Sequence, residues 1–390
     1  MNSPYNNLEE THKEQSTAKM NCSESPLSDA LSEARRIMHI CNICGYCNGF
    51  CDVFERASRR PALTATDLHY LANLCHHCRN CYYACQYAPP HALAVNVPRT
   101  LAEVRQQTYR EYAWPQGLGQ LFGRNGRIVG WLGLLSVLVS VGAGLTVIPG
   151  NVLFAVHQGP GAFYAIIPWH IMVMIAGLPL VWSTLAVGIG LARFARAIRR
   201  DERMPTPSIW QILGQTLKDS LSLRNLKGAG HGCNDRDDRY SHLRRRLHHA
   251  LFYGILACLA ATLTATAYHH ILHRLAPYPI LSLPVLLGTL GGVAMLAGSA
   301  GLAWLQRHAD SVPAATIARS GERTVGWLLM ALAGSGLALM LLRETPAMGL
   351  LLVMHLGLAA TSLFLLPYGK LAHGPYRMAA LWQAARERPG

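Results

Sequence analysis

The sequence predicts an all-α protein in which an N-terminal helical module precedes a six-helix transmembrane bundle. Three observations predict it: an apolar composition, six long charge-poor runs, and one cysteine spacing used twice. Of 390 residues, 51% are hydrophobic and only 14% are charged, with a mean hydropathy of +0.18. That is too apolar for an ordinary soluble chain of this length. The formal charge of +14 does not mark a nucleic-acid partner, because Lys and Arg gather between apolar runs instead of interleaving with polar and aromatic residues.

Residues 1–35 are polar ("NNLEETHKEQSTAKM") and lack the apolar centre of a secretory signal, so they are expected to be disordered and cytoplasmic. Residues 36–112 form the next unit. Here "CNICGYCNGFCDVF" starts at Cys41 and "CHHCRNCYYACQYA" at Cys75, both with the spacing C-x2-C-x2-C-x3-C. A close triplet of thiolates wraps one corner of a four-iron cube, and the fourth, after a longer step, reaches the other cube. The expected cofactors are two [4Fe-4S] clusters. One is held by Cys41, Cys44, Cys47 and Cys85, the other by Cys75, Cys78, Cys81 and Cys51. A zinc site usually needs only C-x2-C pairs. The proline that often follows the fourth cysteine is replaced by Asp52 and Gln86, which removes no ligand. Between the motifs, a helix start at Thr66 or Asp67 followed by Leu68, Leu71 and Leu74 reads as helical. The module is therefore an α-helical ferredoxin-like unit of the kind found in fumarate or heterodisulfide reductase subunits.

Residues 113–390 form the membrane domain. Its six runs, about 128–147, 163–191, 250–267, 280–304, 325–342 and 347–367, are each long enough for a helix to cross the hydrocarbon layer. Thirteen Lys and Arg lie between Arg193 and Arg246, and Arg307, Arg319 and Arg323 follow the fourth run, whereas the opposite loops carry only Arg274 and Arg343. By the positive-inside rule both termini and the 194–247 loop are cytoplasmic, at a bacterial inner membrane. In that reducing compartment dense cysteines read as metal ligands, not disulfides. Cys22, Cys233 and Cys258 stand outside the motifs.

Ionisable residues within membrane runs are functional candidates. His170 ("IIPWHIMVMI") and His355 ("LLVMHLGLAA") lie at matching depth, which makes them candidate ligands of an outer b-type haem. His248, His249 and His373 lie at the cytoplasmic edge and are candidates for an inner haem. His269 and His270 rival them for the outer site. His355 and His373, eighteen residues apart, would share one face of a single helix at about 27 Å separation. One or two haems are expected on this pattern.

Pro205 and Pro207 introduce a stripe of Ile209, Trp210, Leu213, Leu217 and Leu221, expected as a helix on the cytoplasmic membrane surface. The Gly-rich, charged "NLKGAGHGCNDRDDRYSHLRRRLHH" suits a docking loop, and its Asp/Asn cluster lacks the offsets of a calcium loop. No glycine fingerprint for FAD or NAD follows a strand. Electrons must therefore come from a second protein.

Two ferredoxin motifs, six membrane runs, the "GAGHGC" loop leading to "RRLHHALFYG" and the C-terminal "PYGKLAHGPYR" together resemble the tricarballylate-utilisation protein B family, also called citrate-utilisation protein B. The resemblance covers about residues 37–384. It implies a membrane protein that reoxidises the flavin of a partner FAD-dependent tricarballylate dehydrogenase and delivers the electrons to membrane quinone. The cysteine motifs carry over residue by residue. Two rival readings are the membrane anchor of a heterodisulfide- or nitrate-reductase-like complex, and a citrate or tricarballylate transporter. Transporters tend to show paired broken helices in repeated halves, and these runs show no such repeat.

Overall fold

The computed structural model describes residues 26–123, 126–199 and 207–388. Every element named among them is helical, apart from one isolated bridge between Cys233 and Ser241. The all-α expectation holds.

The module begins with α1 (Pro26–Cys44), followed by α2 (Asp52–Ser58), α3 (Ala65–Leu74), α4 (Asn80–Tyr83) and α5 (Val97–Tyr112). The expected disordered segment to residue 35 is corrected here. Residues 26–35 are helical because Ala34, Ile37 and Met38 turn one apolar face of α1 into the core, and residues 1–25 lie outside the described residues. Helix α3 starts slightly before Thr66, since Thr64 caps it: its hydroxyl accepts from Asp67 N, and the Asp67 carboxylate accepts from Thr64 N at 3.1 Å. This reciprocal cap satisfies two otherwise orphaned donors. Leu68, Leu71 and Leu74 are buried as the spacing predicts.

The membrane domain opens with α6 (Gln116–Gly123) and the first long helix, α7 (Gly126–Val147). Short helices α8 (Gly150–Leu153) and α9 (Ala162–Ile166) precede α10 (Trp169–Ile198). Then come the surface helix α11 (Ile209–Leu221), the long helices α12 (Leu243–His270), α13 (Leu283–His308), α14 (Thr316–Leu341) and α15 (Met348–Leu365), and the C-terminal α16 (His373–Arg386). Six of these are long and apolar enough to cross a membrane, as expected of a multi-pass protein. The second span starts at Trp169 rather than Phe163, because Pro168 in an extended conformation separates it from α9. Helix α11 is capped by Ser208, and Ile209, Trp210, Leu217 and Leu221 remain exposed along the expected apolar stripe.

A further expectation fails. His355 and His373 do not share a helix: α15 ends at Leu365, a short 3-10 turn spans Lys370–Ala372, and a new helix starts at His373. Pro367 lacks the N–H that would continue the ladder, and Gly369 is extended.

Close backbone packing sets the bundle. A Cβ at Gly254 of α12 would stand 2.6 Å from Met295 N of α13, and one at Gly291 would stand 2.9 Å from Cys258 N. Small residues let the two helices meet backbone to backbone, the usual source of cohesion in lipid.

The module and the bundle share one core. Phe194 of α10 and Tyr376 and Ala380 of α16 pack into the same apolar cluster as Met38, Leu71 and Leu101. The chain end is tied in by buried charge. Arg60 Nη2 lies 2.5 Å from Glu387 Oε1, Arg60 Nε lies 3.0 Å from Asp67 Oδ1, and Arg56 Nη1 donates to Glu387 O at 2.8 Å. Removing one partner of such a buried pair costs about 3–5 kcal/mol, because it leaves the other charge uncompensated.

Candidate electron-transfer site

The first motif leaves the end of α1. Cys41 and Cys44 sit on its last turn, Gly45 N donates to Cys41 O at 2.9 Å, and Gly45 (φ +67) and Gly49 (φ +92) turn the chain back toward Cys51 at the head of α2. Only glycine adopts those dihedrals without a Cβ penalty. The second motif leaves the end of α3, where Cys75 is the cap residue. Its coil passes through His77 (φ 59) and Arg79 (φ 68) before α4 supplies Cys81. Two non-glycine residues in the left-handed region within three positions mark a loop held by its surroundings.

The motifs cross. A cavity of 260 Å³ is lined by Cys41, Cys44 and Cys47 of the first motif together with Cys85 of the second, closed by Ile40, Tyr46, Tyr87 and Val95. Burial first, and then the neighbouring Cys47, Cys85 and Cys44, push the Cys41 thiol up to about 12. Burial likewise pushes Cys51 well up, and the groups that add to it are Cys78 and Cys75 of the second motif. Cys81 is raised by burial and then by Cys78, Cys75 and Cys51. Crowded buried thiols that resist ionisation need a bound metal's positive charge to become thiolates. Among the described residues no three His, Cys, Asp or Glu close tightly enough for a single metal ion. Zinc would draw its sulfurs to about 2.3 Å from one centre; a four-iron cube spreads its ligands over four separate irons.

The bundle, together with Arg105 of the module's own α5, grips the second motif. Arg105 Nη1 donates to Cys75 O at 2.7 Å and Arg377 Nη2 at 3.0 Å; Arg244 Nη1 donates to His77 O at 2.6 Å; and Asn234 N donates to Cys78 O at 2.9 Å. Arg79 returns the contact to Asp235 O at 2.7 Å, and Tyr83 to the Asp310 carboxylate at 2.7 Å. The Gly-rich loop expected to dock a partner thus docks on this chain's own module. Cys233 is fully buried in that loop, its Sγ 3.5 Å from Leu226 O.

A family model described as citrate utilization protein B matches residues 124–390, and one described as the citrate utilization protein B Fer4-like domain matches residues 34–111. The chain belongs to the citrate utilization protein B family. A relative named citrate utilization protein B from Escherichia coli is 39% identical over 367 residues, covering 93% of this chain and 94% of that protein. No solved structure matches. The Fer4-like domain makes the N-terminal module an iron-sulfur one, in a protein of citrate or tricarballylate utilisation.

In this family member the histidines divide by end. His248 and His373 face each other with ring centroids 6.0 Å apart. Burial, then Arg377, holds His373 well below its usual range, so it is a neutral imidazole, the form that ligates metal. His249 turns away toward Ser222 O at 3.3 Å and Tyr253. At the other end His170 is exposed, while His355 points to Ser335 Oγ at 3.0 Å and against Gly336. His269 stacks on Trp169 at 5.1 Å and lies 3.3 Å from Tyr164 Oη; His270 packs edge-on to the same Trp169. Sequence reasoning passed over the buried Arg79 and Arg105 and the half-buried Arg377. It also passed over His69, whose Nε2 lies 3.0 Å from Glu111 and holds that carboxyl below its usual range. Nothing in periodicity or spacing marks such residues; only the packed core brings them together.

Proposed function

We propose that this chain is the membrane electron-transfer component that reoxidises the reduced flavin of an FAD-dependent tricarballylate, or citrate-related, dehydrogenase and delivers the electrons to membrane quinone. The observation that carries the reading is the cavity joining Cys41, Cys44 and Cys47 to Cys85. Two [4Fe-4S] clusters fit, the second held by Cys75, Cys78, Cys81 and Cys51. His248 and His373, whose rings face each other with centroids 6.0 Å apart, are the residues that would hold a b-type haem, which would supply a one-electron centre. For the outer pair no such ring-to-ring approach is seen: His170 is exposed and His355 lies against Ser335 and Gly336. The proposal is therefore confined to one, inner, haem. When bound, these groups carry single electrons, which lets a two-electron flavin be emptied stepwise.

The residues around them do the rest. Cys44, Ile43 (81% exposed) and Tyr46 (66% exposed) present the first motif to solvent, so the partner flavoprotein docks there, on the cytoplasmic face. The basic loop is engaged elsewhere: Arg224 lies 2.6 Å from Asp52, and Arg236 sits 4.4 Å over the Trp304 ring. Flavin reoxidation by full-length protein in vesicles, with the purified dehydrogenase and its organic acid, tests the reading. Quinone-dependent reoxidation supports it, whereas uptake of the acid without the dehydrogenase would favour the transporter.

A further inference from the structure

A second cleft, of 540 Å³, opens at the base of the module, lined by Glu111, Tyr112, Trp114, Pro115, Gln116 and Arg193. It lies where α5 ends and α10 leaves the bundle. Arg193 is 24 residues from the start of α10, about 36 Å along the axis, hence just beyond a hydrocarbon layer of about 30 Å. The cleft is at interface depth.

Its chemistry changes from one end to the other. Glu111, Gln116 and Arg193 make one end polar. At the other, Trp114 packs on Trp182 with centroids 5.6 Å apart, and Trp182 stacks on Phe364 at 6.4 Å and 16°. Phe364 is exposed on the bundle surface. A polar seat that continues into a lipid-facing aromatic strip suits a ligand with a polar ring and an apolar tail.

The wall behind the seat brings a buried histidine up to Glu111 and leads on to the cysteines. Glu111 Oε2 is 3.0 Å from Nε2 of the buried His69, whose Nδ1 is 2.8 Å from Thr108 Oγ1. Tyr112 packs edge-on to the His69 ring at 5.8 Å. His69 lies on α3, whose cap residue is Cys75, six residues and about 9 Å further along the axis.

The geometry points to this cleft as the quinone site, with Arg193 donating to a quinone carbonyl and the His69–Glu111 pair supplying protons. The inference rests on the electron-transfer reading above and adds its exit. Two electrons originating on the partner's reduced flavin and two protons, taken from cytoplasmic water by the half-exposed Glu111 beside His69, convert the two carbonyls of the quinone to hydroxyls. No bond to the protein forms.

The test uses the full chain in nanodiscs, oxidised and without partner. Tryptophan fluorescence is titrated with decylubiquinone, and co-purifying phospholipid is counted. Arg193→Gln and Glu111→Gln should each weaken quinone binding, the former by roughly tenfold, which corresponds to about 1.4 kcal/mol, while circular dichroism and iron content stay unchanged. Unchanged affinity in both variants overturns the assignment. So does loss of bound phospholipid with unchanged quinone affinity, which would make the cleft a lipid-headgroup seat. Because binding is read without turnover, a missing iron signal would sink the electron-transfer reading and leave this measurement standing on its own.

Discussion

The first cysteine motif faces solvent, with Ile43, Cys44 and Tyr46 exposed and no guanidinium bonded to its backbone among the described residues. The second is enclosed, with Arg105 and Arg377 on Cys75 O, Arg244 on His77 O, and the 233–241 loop laid over it. Identical spacing therefore sits in opposite environments. Positive charge near a cluster favours its reduced, more negative state and raises its potential, so the comparison gives the chain a direction. Under the function proposed above, electrons would enter at the open motif and pass to the one gripped by the bundle, beside His248 and His373.

The largest effect expected from breaking this asymmetry is loss of a centre. Cys44→Ser and Cys78→Ser should each remove one iron-sulfur EPR signal and abolish electron transfer from the partner flavin. Cys233→Ser, which touches only packing, should keep both signals. Next in size is the haem. His248→Ala or His373→Ala should remove the b-type α-band from a dithionite-reduced spectrum, and His355→Ala should leave it; an unchanged spectrum in the first two would make them packing residues.

A smaller effect separates the two motifs directly. In an EPR-monitored redox titration Arg377→Gln should lower the midpoint of the second centre and leave the first in place. Equal shifts in both would erase the distinction. Smallest is docking: Tyr46→Ala should raise the KM for the partner several-fold with iron content intact, whereas charge reversal at Arg239 should leave it within about twofold, as expected of an exposed charge screened by salt.

Much of this was legible in the sequence, and the failures have physical causes. The crossed grouping of the cysteines could be read because cluster geometry demands a local spacing, and the spans because lipid demands length and apolarity. The capping box at Thr64 was read two residues late, since Thr66 and Asp67 offer the same side-chain chemistry. The shared helix for His355 and His373 failed because Pro367 and Gly369 break it, which helical periodicity taken across them does not register. The contacts of Arg224, Arg236 and Arg244 within this chain were not legible, because a basic loop reads alike whether its charges meet a partner, lipid or, as here, Asp52, Trp304 and the His77 carbonyl. His69 and Glu111 lie 42 residues apart and meet only when α3 packs on α5.

The central claim is that two crossed sets of four cysteines each hold a four-iron cluster. Iron and acid-labile sulfide, counted on purified full-length protein and on Cys44→Ser, test it most directly. The account predicts eight irons and eight sulfides per chain, falling to four of each in the variant with one EPR signal retained; eight irons surviving in Cys44→Ser, or zinc in place of iron, would contradict it.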